Sequence, residues 1–583
     1  MKLRQHLARG LSTGSRPPPT RWGASGWEAV SEHDVNDFMH SETYGNYFRV
    51  PNPATVSTKL ICTLGPATSS KPMIEKLLRA GMSCVRLNSA HGTYASYDAI
   101  IKTVRECAQA QNTICPIMFD TKGPEIRVGK VAGEEWIDIA DQSLVTVTFG
   151  DPLSTSPQFL STPNLLYVNY NQLGNSCKVG DVVLLDNGRI ALNVTSVDDV
   201  RTLQCRVITG GHLKSNKGVN LPGCEVFLPH VTPKDKRDVE FAVSRSIEYI
   251  AHSFTRSAEG IDQVRSLPGV REAGIHIVAK IESQEGLDNF AEIVDAADGV
   301  MVARGDLGVE IPLERVCSMQ KRMIRDCNVR GKFVITATEM LDSMMSNARP
   351  TRAEASDVAN AVYDGSDCVM LSGETASGQF PLESVQVMQR ICREAELDVA
   401  AHHFYQPQKS STTTSSSMEG GKVEALGNLK NRPLSKLNTE RAAFAKAAVA
   451  TAKATKAEMI IVFCSATENA RFVSRNRPNV PVFALCTSPK VCAQISLYHG
   501  VRPVLVPSLD RDVCLPIALS VASQSKLVTS GSQVMILSAG QNAGEHLNVI
   551  ENLTANDEHF QAPAVATNKT FLGYTPGSSV TGP

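Results

Sequence analysis

The sequence predicts an α/β fold built on a (β/α)8 TIM barrel, and three observations support this prediction. Eight short apolar runs recur along the chain, helix-like stretches separate most of them, and most runs end in a polar or charged residue. Buried parallel strands have continuous apolar sequences because helices cover both faces of the sheet. In chain order the predicted strands are KLIC (59–62), CVRLN (84–88), CPIMFDTK (115–122), EYIAHS (248–253), IHIVAKIE (275–282), GVMVARGD (299–306), KFVITAT (332–338) and CVMLSGE (368–374).

Polar residues at the ends of these runs predict where the functional site lies. In a (β/α)8 barrel the catalytic groups come from the carboxyl ends of the strands. These ends carry both cationic side chains and oxygen donors, which suits an anionic substrate together with a hard cation. The residues are Arg86, Asn88, Asp120, Lys280, Glu282, Asp306, Thr338 and Glu374.

The rest of the sequence predicts two further domains, a linker and two tails. Residues 125–228 alternate in polarity and contain an Asp-Asn-Gly turn signal, which indicates a small β domain inserted into the barrel as a lid. The barrel is therefore divided into residues 51–124 and 229–400. A Ser/Thr run marks residues 401–437 as a linker or insertion, residues 438–553 alternate helical and strand-like stretches as in a C-terminal α/β regulatory-type domain, and residues 554–583 form a tail.

Composition excludes several classes of function. The 583 residues include 58 basic and 59 acidic side chains, so the net charge of −1 argues against general binding of nucleic acid or membrane surfaces. No apolar run approaches the length of a membrane span. The 15 cysteines are scattered without CxxC pairs or zinc spacing, which indicates free thiols in a reducing compartment.

Residues 1–50 are predicted to be an N-terminal tail or a transit peptide. The first 27 residues are basic and free of acids, and Leu3, Leu7 and Leu11 share one helical face. This pattern is typical of a mitochondrial transit peptide, and a disordered basic tail explains it equally well.

Three residues at neighbouring strand ends predict a magnesium site beside a cation. Lys280 and Glu282 are two apart, so they point to the same side of a strand, and Asp306 ends the next predicted strand. Magnesium is usually held by one or two carboxylates, with substrate oxygens and waters completing the octahedron. Lys280 then offers a positive charge to the group that becomes negative during the reaction. A structural ion pair between Lys280 and Glu282 is the alternative explanation for the pair taken alone.

Eight stretches of the chain resemble the pyruvate kinase family. They are ICTLGPAT, VRLNSAHG, FDTKGPEIR, SNKGVNLPG, VAKIES, MVARGDLGVEIP, RPTRAEASDVANAVYDG and MLSGETASG, in order between residues 59 and 400, with weaker similarity to residue 553. The resemblance implies a barrel with an inserted lid and a C-terminal regulatory domain, usually a homotetramer. It also implies Mg²⁺-dependent phosphoryl transfer from phosphoenolpyruvate to ADP, giving pyruvate and ATP as the last step of glycolysis. The family is cytoplasmic by default, whereas a transit peptide would direct this chain to mitochondria.

The resemblance assigns roles to residues by motif. Glu282 and Asp306 would bind the divalent metal, Mg²⁺ or Mn²⁺. The implied catalytic residues are Lys280, which would stabilise the phosphoryl group in transfer, Arg86, which would contact phosphate, and Thr338, near the face where the enolate is protonated. Substrate binding is assigned to Arg86, Lys280, Gly305 and Thr338. Nucleotide binding is assigned to Asn88, His91, Arg127 and Lys217, and K⁺ binding to Asn88, Asp120 and Thr121.

This chain departs from the family pattern near the proposed K⁺ site and beside the substrate. The family usually has RLNFSHG where this chain has RLNSAHG, so Ala90 stands where a serine helps to bind K⁺. Ser89 would point the other way on a strand. Glu125, which the resemblance links to K⁺-dependent members, is retained, so we expect K⁺ dependence that is present but weakened. Glu339 replaces a common glutamine and adds a negative charge near an anionic substrate.

Two loops of the predicted C-terminal domain bear on regulation. The effector loop reads CSATENA (464–470), in which Glu468 repels phosphate, and the later loop SAGQNAG (538–544) has no aromatic or arginine. Activation by fructose bisphosphate is therefore not expected, and the sequence identifies no effector. A catalytically weakened paralogue that acts as a regulatory or binding subunit is the alternative to an active kinase, and a different magnesium-dependent barrel enzyme acting on an enolate is a third hypothesis.

Overall fold

The computed structural model of the protein describes residues 56–132, 135–150, 159–405, 436–542 and 545–555. The predicted N-terminal tail, nearly all of the Ser/Thr linker and nearly all of the C-terminal tail lie outside these residues. The strands are β1 (Lys59–Thr63), β2 (Met82–Asn88), β3 (Ile117–Asp120), β4 (Ile126–Arg127), β5 (Ile137–Ile139), β6 (Leu144–Phe149), β7 (Leu165–Val168), β8 (Val182–Leu185), β9 (Ile190–Asp199), β10 (Thr202–Thr209), β11 (Gly211–Leu213), β12 (Gly218–Asn220), β13 (Tyr249–His252), β14 (His276–Ile281), β15 (Gly299–Ala303), β16 (Phe333–Ala337), β17 (Cys368–Leu371), β18 (Met459–Phe463), β19 (Val482–Cys486), β20 (Val501–Leu505), β21 (Gln533–Asn542) and β22 (Glu545–Thr554).

The α-helices connect these strands. They are α1 (Lys71–Ala80), α2 (Tyr94–Ala110), α3 (Leu173–Ser176), α4 (Pro233–Ser244), α5 (Ala258–Arg265), α6 (Gln284–Asp288), α7 (Phe290–Ala296), α8 (Arg304–Glu310), α9 (Leu313–Arg330), α10 (Arg352–Tyr363), α11 (Gly373–Ala376), α12 (Pro381–Tyr405), α13 (Lys436–Ala454), α14 (Glu468–Ser474), α15 (Pro489–Ile495) and α16 (Arg511–Gln524). A short 3₁₀ helix covers Asp342–Met345.

Eight parallel strands close into a barrel, which confirms the predicted fold class. Their order around the barrel is β1, β17, β16, β15, β14, β13, β3 and β2. Every residue of β3, β13, β15, β16 and β17 is buried, because the barrel interior covers one face of each strand and the surrounding helices cover the other. The predicted apolar runs are therefore the barrel strands, and their carboxyl ends meet at one rim.

The segment between β3 and β13 folds mainly as antiparallel sheet. One sheet has the order β4, β12, β8, β9, β10, β6, β7, and β5 pairs separately with β11. The predicted Asp-Asn-Gly turn joins β8 to β9, and Asp186, Asn187 and Gly188 all have positive φ. That left-handed backbone is why Asp, Asn and Gly occupy the turn.

The C-terminal sheet packs beneath the barrel, on the side away from the strand ends that carry the predicted site. Its order is β20, β19, β18, β21, β22, parallel except for the β21–β22 pair. Lys59, which opens β1, donates from Nζ to Val501 O at 2.7 Å, and Tyr249, which opens β13, donates from Oη to Gln494 O at 2.6 Å. Within the residues described, no helix is long and apolar enough to cross a membrane.

Candidate active site

A buried carboxylate joins the two cations predicted for the site. Asp120 ends β3, Arg86 lies in β2, and Lys280 lies in β14. Arg86 Nε is 2.6 Å from Asp120 Oδ2, and Lys280 Nζ is 3.1 Å from Asp120 Oδ1. Burial opposes ionisation of Asp120, but the charges of Arg86 and Lys280 outweigh burial and hold its pKa below the ordinary value. Two positive groups are thus fixed beside each other at the barrel rim.

Ser253 is a member of this cluster that the sequence analysis missed. Its Oγ accepts a hydrogen bond from Lys280 Nζ at 2.7 Å and lies 3.1 Å from Asp120 Oδ1 and 2.7 Å from Thr121 O. The signal was present, because Ser253 is the last residue of the predicted strand EYIAHS. It anchors the Lys280 ammonium from the β13 side.

Glu282 and Asp306 form the predicted acidic part of the site. Glu282 follows β14, and its Oε1 is 3.0 Å from Lys280 Nζ, while its Oε2 accepts from Phe254 N at 2.6 Å. Burial raises the pKa of Glu282 to about 7, Lys280 opposes the rise, and the charge of Asp306 adds to it. Asp306 itself is exposed in the first turn of α8. The two carboxylates are close enough to repel each other, which is the electrostatic setting that a divalent cation relieves.

Lys280 stays charged in spite of its burial. Burial lowers the pKa of Lys280, but the carboxylates of Asp120 and Glu282 outweigh this effect and raise the pKa above its ordinary value. Lys280 is only 8% exposed and remains protonated. Because water screens a buried charge only weakly, its ammonium group can strongly stabilise a negative charge that develops nearby.

Gly305 and Thr338 are in close contact across neighbouring strand ends. A Cβ on Gly305 would lie 2.7 Å from Thr338 Cγ2, so any side chain at this position would force Thr338 to shift. Thr338 has φ of 73°, an uncommon conformation for a β-branched residue. Arg304 holds this backbone through Nη2 to Thr338 O at 2.7 Å and Nε to Ala337 O at 3.1 Å. Arg304 was not predicted, because its role depends on the adjacency of β15 and β16.

Arg127 and Lys217 lie on paired strands of the inserted β domain or beside them. Arg127 faces Gly218 in the β4–β12 register, next to Lys217. The two nitrogens Nε and Nη2 of Arg127 are each 2.8 Å from an oxygen of Glu125, and Lys217 Nζ is 2.7 Å from Asp186 Oδ1. The hydrogen bond to Glu125 raises the pKa of Arg127, burial opposes this, and the charge of Asp306 adds to the rise.

The residues predicted to bind K⁺ are in contact with protein groups. Asn88 Oδ1 accepts from Ala90 N at 3.1 Å, and Thr121 Oγ1 accepts from Ser253 N at 3.2 Å. Ala90 and His91 are exposed, whereas Ser89 is buried and its Oγ has no hydrogen-bond partner among the residues that the structure describes. Ala90 therefore adds no side-chain oxygen to the set of Asn88, Asp120 and Thr121.

Two further acidic residues do not join the cluster. Glu374, at the end of the eighth predicted strand, is buried and accepts from Leu341 N at 3.0 Å and Ser372 N at 2.7 Å. The Glu374 carboxylate therefore binds backbone N–H groups of the protein instead of facing the candidate site. Glu339 is exposed with φ of 54°, so its charge is in contact with solvent.

Comparison with known proteins decides the family. One family model, pyruvate kinase barrel domain, matches residues 55–385, and another, pyruvate kinase alpha/beta domain, matches residues 442–551. The chain belongs to the pyruvate kinase family. Pyruvate kinase from Dictyostelium discoideum is 41% identical over 493 residues, covering 84% of this chain and 92% of that protein. Pyruvate kinase 1 from Trypanosoma brucei brucei is 38% identical over 491 residues, covering 83% and 93%.

A solved pyruvate kinase structure agrees with the observed architecture. The crystal structure of a pyruvate kinase from Cryptosporidium parvum matches with a TM-score of 0.74 at 34% identity, covering 86% of this chain and 97% of that one. Together with the sequence matches, this likeness supports pyruvate kinase function for the chain, as the resemblance of the motifs implied.

Proposed function

We propose that this pyruvate kinase transfers the phosphoryl group of phosphoenolpyruvate to ADP at the Arg86–Asp120–Lys280 cluster. The observation that carries the proposal is that Asp120 holds both cations, 2.6 and 3.1 Å away, at the carboxyl end of the barrel. Phosphoryl transfer demands mainly positioning and neutralisation of charge. Arg86 binds the phosphate of phosphoenolpyruvate, and Lys280 neutralises charge on the phosphoryl group as it leaves the enol oxygen for a terminal ADP oxygen.

The enolate left after transfer must take up a proton at its terminal carbon. We assign substrate binding to Thr338 together with Gly305, and we place Thr338 near the face of the enolate that is protonated. The family resemblance supports the assignment, and the close approach of Gly305 to Thr338 Cγ2 brings the two residues together at the rim. The hydrogen bonds of Arg304 to Thr338 O and Ala337 O fix its position during the reaction.

Glu282 and Asp306 are the proposed ligands of the divalent cation, Mg²⁺ or Mn²⁺. The fit rests on the hard oxygen donors and on the raised pKa of Glu282, which reflects burial beside a second negative charge. When bound, the cation supplies Lewis-acid charge to the phosphate oxygens. Lys280 sits 3.0 Å from Glu282 Oε1 and keeps that carboxylate oriented.

Asn88, Asp120 and Thr121 are the proposed K⁺ ligands. Their oxygens are hard donors suited to an alkali cation. Ala90 contributes none, so we propose weaker K⁺ binding than a serine at this position would give. The proposed K⁺ site shares Asp120 with the Lys280 cluster but includes neither Glu282 nor Asp306.

The nucleotide is proposed to bind between the barrel rim and the inserted β domain. Asn88 and His91 are on the barrel side, and Arg127 and Lys217 are on the lid side. Both lid cations are paired with carboxylates in this structure, so they must exchange Glu125 and Asp186 for nucleotide phosphates. Movement of residues 125–228 over the rim would also exclude water from the phosphoryl donor.

We propose a homotetramer, as the family resemblance implies. We also propose a cytoplasmic location unless residues 1–50 direct import into mitochondria.

Binding of Mn²⁺ tests the proposed metal ligands directly. Electron paramagnetic resonance of free Mn²⁺ reports its dissociation constant without a need for turnover. Glu282→Gln and Asp306→Asn should each weaken binding by roughly tenfold or more, since each removes a charged donor. The control is Glu339→Gln, an exposed carboxylate near the rim, which should leave Mn²⁺ affinity unchanged. Equal affinity in all three variants contradicts the assignment.

A further inference from the structure

A pair of free thiols lies where the inserted β domain returns to the barrel. Cys177 follows α3, and Cys224 opens the segment of residues 224–228, called here the return connector. Both cysteines are free, and the Cys177 side chain is the first of the groups that raise the pKa of the Cys224 thiol. Cys177 is buried, whereas Cys224 is half-buried and can be reached from solvent.

Asp181 brings the two cysteines together. Its Oδ2 accepts from Lys178 N, next to Cys177, at 2.7 Å, and Cys224 Sγ donates to the same oxygen at 3.5 Å. Both cysteines also pack on the core of the inserted β domain. A metal does not explain the cluster, because in the described part of the chain no three His, Cys, Asp or Glu side chains are arranged to hold one.

The return connector is held from two sides. On the lid side, Phe227 N donates to Tyr170 Oη at 2.9 Å, and Tyr170 Oη lies 2.6 Å from Ser176 Oγ, next to Cys177. On the barrel side, Arg256 donates from Nη1 to Val226 O at 2.6 Å and from Nη2 to Leu228 O. Rotation of the lid against the barrel must loosen one of these two attachments.

We propose that Cys177 and Cys224 form a redox-sensitive pair, and that their oxidation to a disulfide fixes the return connector to the inserted β domain and slows lid motion. This inference adds a modification site to the kinase activity. The disulfide makes the lid-side attachment covalent, so all hinge motion has to come from the Arg256 attachment. Lid opening and closing limit turnover in many enzymes, and a stiffer hinge therefore lowers kcat.

The proposed oxidant is a hydroperoxide. The Cys224 thiolate attacks the peroxide, the O–O bond breaks, and Cys224 sulfenic acid forms with release of an alcohol or water. Cys177 sulfur then attacks the sulfenic sulfur, which forms the S–S bond and releases water. Two thiols lose two electrons in total, and the hydroperoxide gains them.

The environment of Cys224 makes the first step slow. Hydrogen bonding to Cys177, burial and the charge of Asp181 raise the pKa of the Cys224 thiol, so little thiolate is present at neutral pH. The pair should therefore remain reduced under ordinary conditions and respond only to sustained oxidant.

The test uses purified full-length protein, first reduced and assayed for kinase activity. After exposure to hydrogen peroxide, peptide mass spectrometry without reduction should show a peptide joined through Cys177 and Cys224. Activity should fall by roughly threefold or more and return with a dithiol reductant. Cys224→Ser should lose this reversible inhibition, and Cys317→Ser, which removes an exposed thiol outside the lid, should retain it.

Three results would overturn the proposal. They are absence of the joined peptide when Cys317 is already oxidised, a joined peptide without any change in activity, and unchanged inhibition in Cys224→Ser. Cys177→Ser provides a second variant in case Cys224→Ser folds poorly. The peptide readout does not depend on activity, so failure of the pair is distinct from failure of the kinase assignment.

Discussion

Gly305 lies so close to Thr338 that a Cβ on Gly305 would be 2.7 Å from Thr338 Cγ2. The contact joins the first turn of α8 to the end of β16, two elements that are separated in sequence but adjacent at the rim. Thr338 cannot simply move away, because Arg304 holds its carbonyl. A side chain at position 305 would therefore displace a proposed substrate-binding residue.

We predict that Gly305→Ala displaces Thr338 and lowers kcat/KM for phosphoenolpyruvate by roughly tenfold or more, since a shift near 1 Å at a site is costly. Steady-state kinetics provide the measurement. The matched control is Gly308→Ala in the same helix, whose Cβ would meet its nearest neighbour at 3.4 Å, an ordinary contact. Equal kinetics in the two variants would show that the Gly305 contact is unimportant.

Ser253→Ala should lower kcat by about tenfold and leave the fold intact. The substitution removes the hydroxyl 2.7 Å from Lys280 Nζ, so the ammonium loses an anchor although both carboxylates remain. Ser253→Thr retains the hydroxyl and should restore part of the rate. A rate in Ser253→Ala equal to that of the wild type would mean that Asp120 and Glu282 position Lys280 without help.

Ala90→Ser should reduce the K⁺ concentration that gives half-maximal activation by about threefold or more, because it adds a side-chain oxygen beside Asn88. The wild-type chain should be more active in potassium than in sodium, with weak K⁺ affinity. Ser89→Ala is the control, since the neighbouring hydroxyl is predicted to face away. If Ser89→Ala instead weakens K⁺ activation, Ser89 is the replacement ligand.

His252 should destabilise the protein in acid. It is completely buried, neither ring nitrogen has a hydrogen-bond partner within the described part of the chain, and burial lowers its pKa from 6.5 to about 3. Below pH 6.5 the histidine is protonated in the unfolded chain but stays neutral in the folded protein. The free energy of unfolding therefore falls by about 1.4 kcal/mol for each pH unit of acidification, down to about pH 3. His252→Asn should have a shallower loss of thermal midpoint between pH 7 and 4.5. A loss as steep as that of the wild type would contradict this.

The sequence predicted the barrel and much of the site for one physical reason. Buried strands need continuous apolar runs, and the polar residues that end such runs must meet at one rim. Arg86, Asp120, Lys280 and Glu282 were placed together on that basis, and the structure brings them within hydrogen-bonding distance of one another in a chain of contacts.

The site residues that were not predicted depend on the direction of a side chain and on which strand ends are neighbours in the barrel. A serine at a strand end carries no special signal, so Ser253 was missed even though its strand was found. Arg304 acts on the neighbouring strand end, and sequence spacing does not reveal that contact. Glu374 ends a predicted strand, yet its carboxylate turns to backbone N–H groups.

The most direct test of the central claim is pyruvate formation from phosphoenolpyruvate and ADP, with Mg²⁺ and K⁺, by the purified wild type and Lys280→Met. We predict strong wild-type activity and a loss of kcat of about a hundredfold or more in the variant, because the buried charge acts on the transferring phosphoryl group. No activity from folded wild-type protein would favour a regulatory paralogue. Unchanged kcat in Lys280→Met would contradict the role proposed for the Arg86–Asp120–Lys280 cluster.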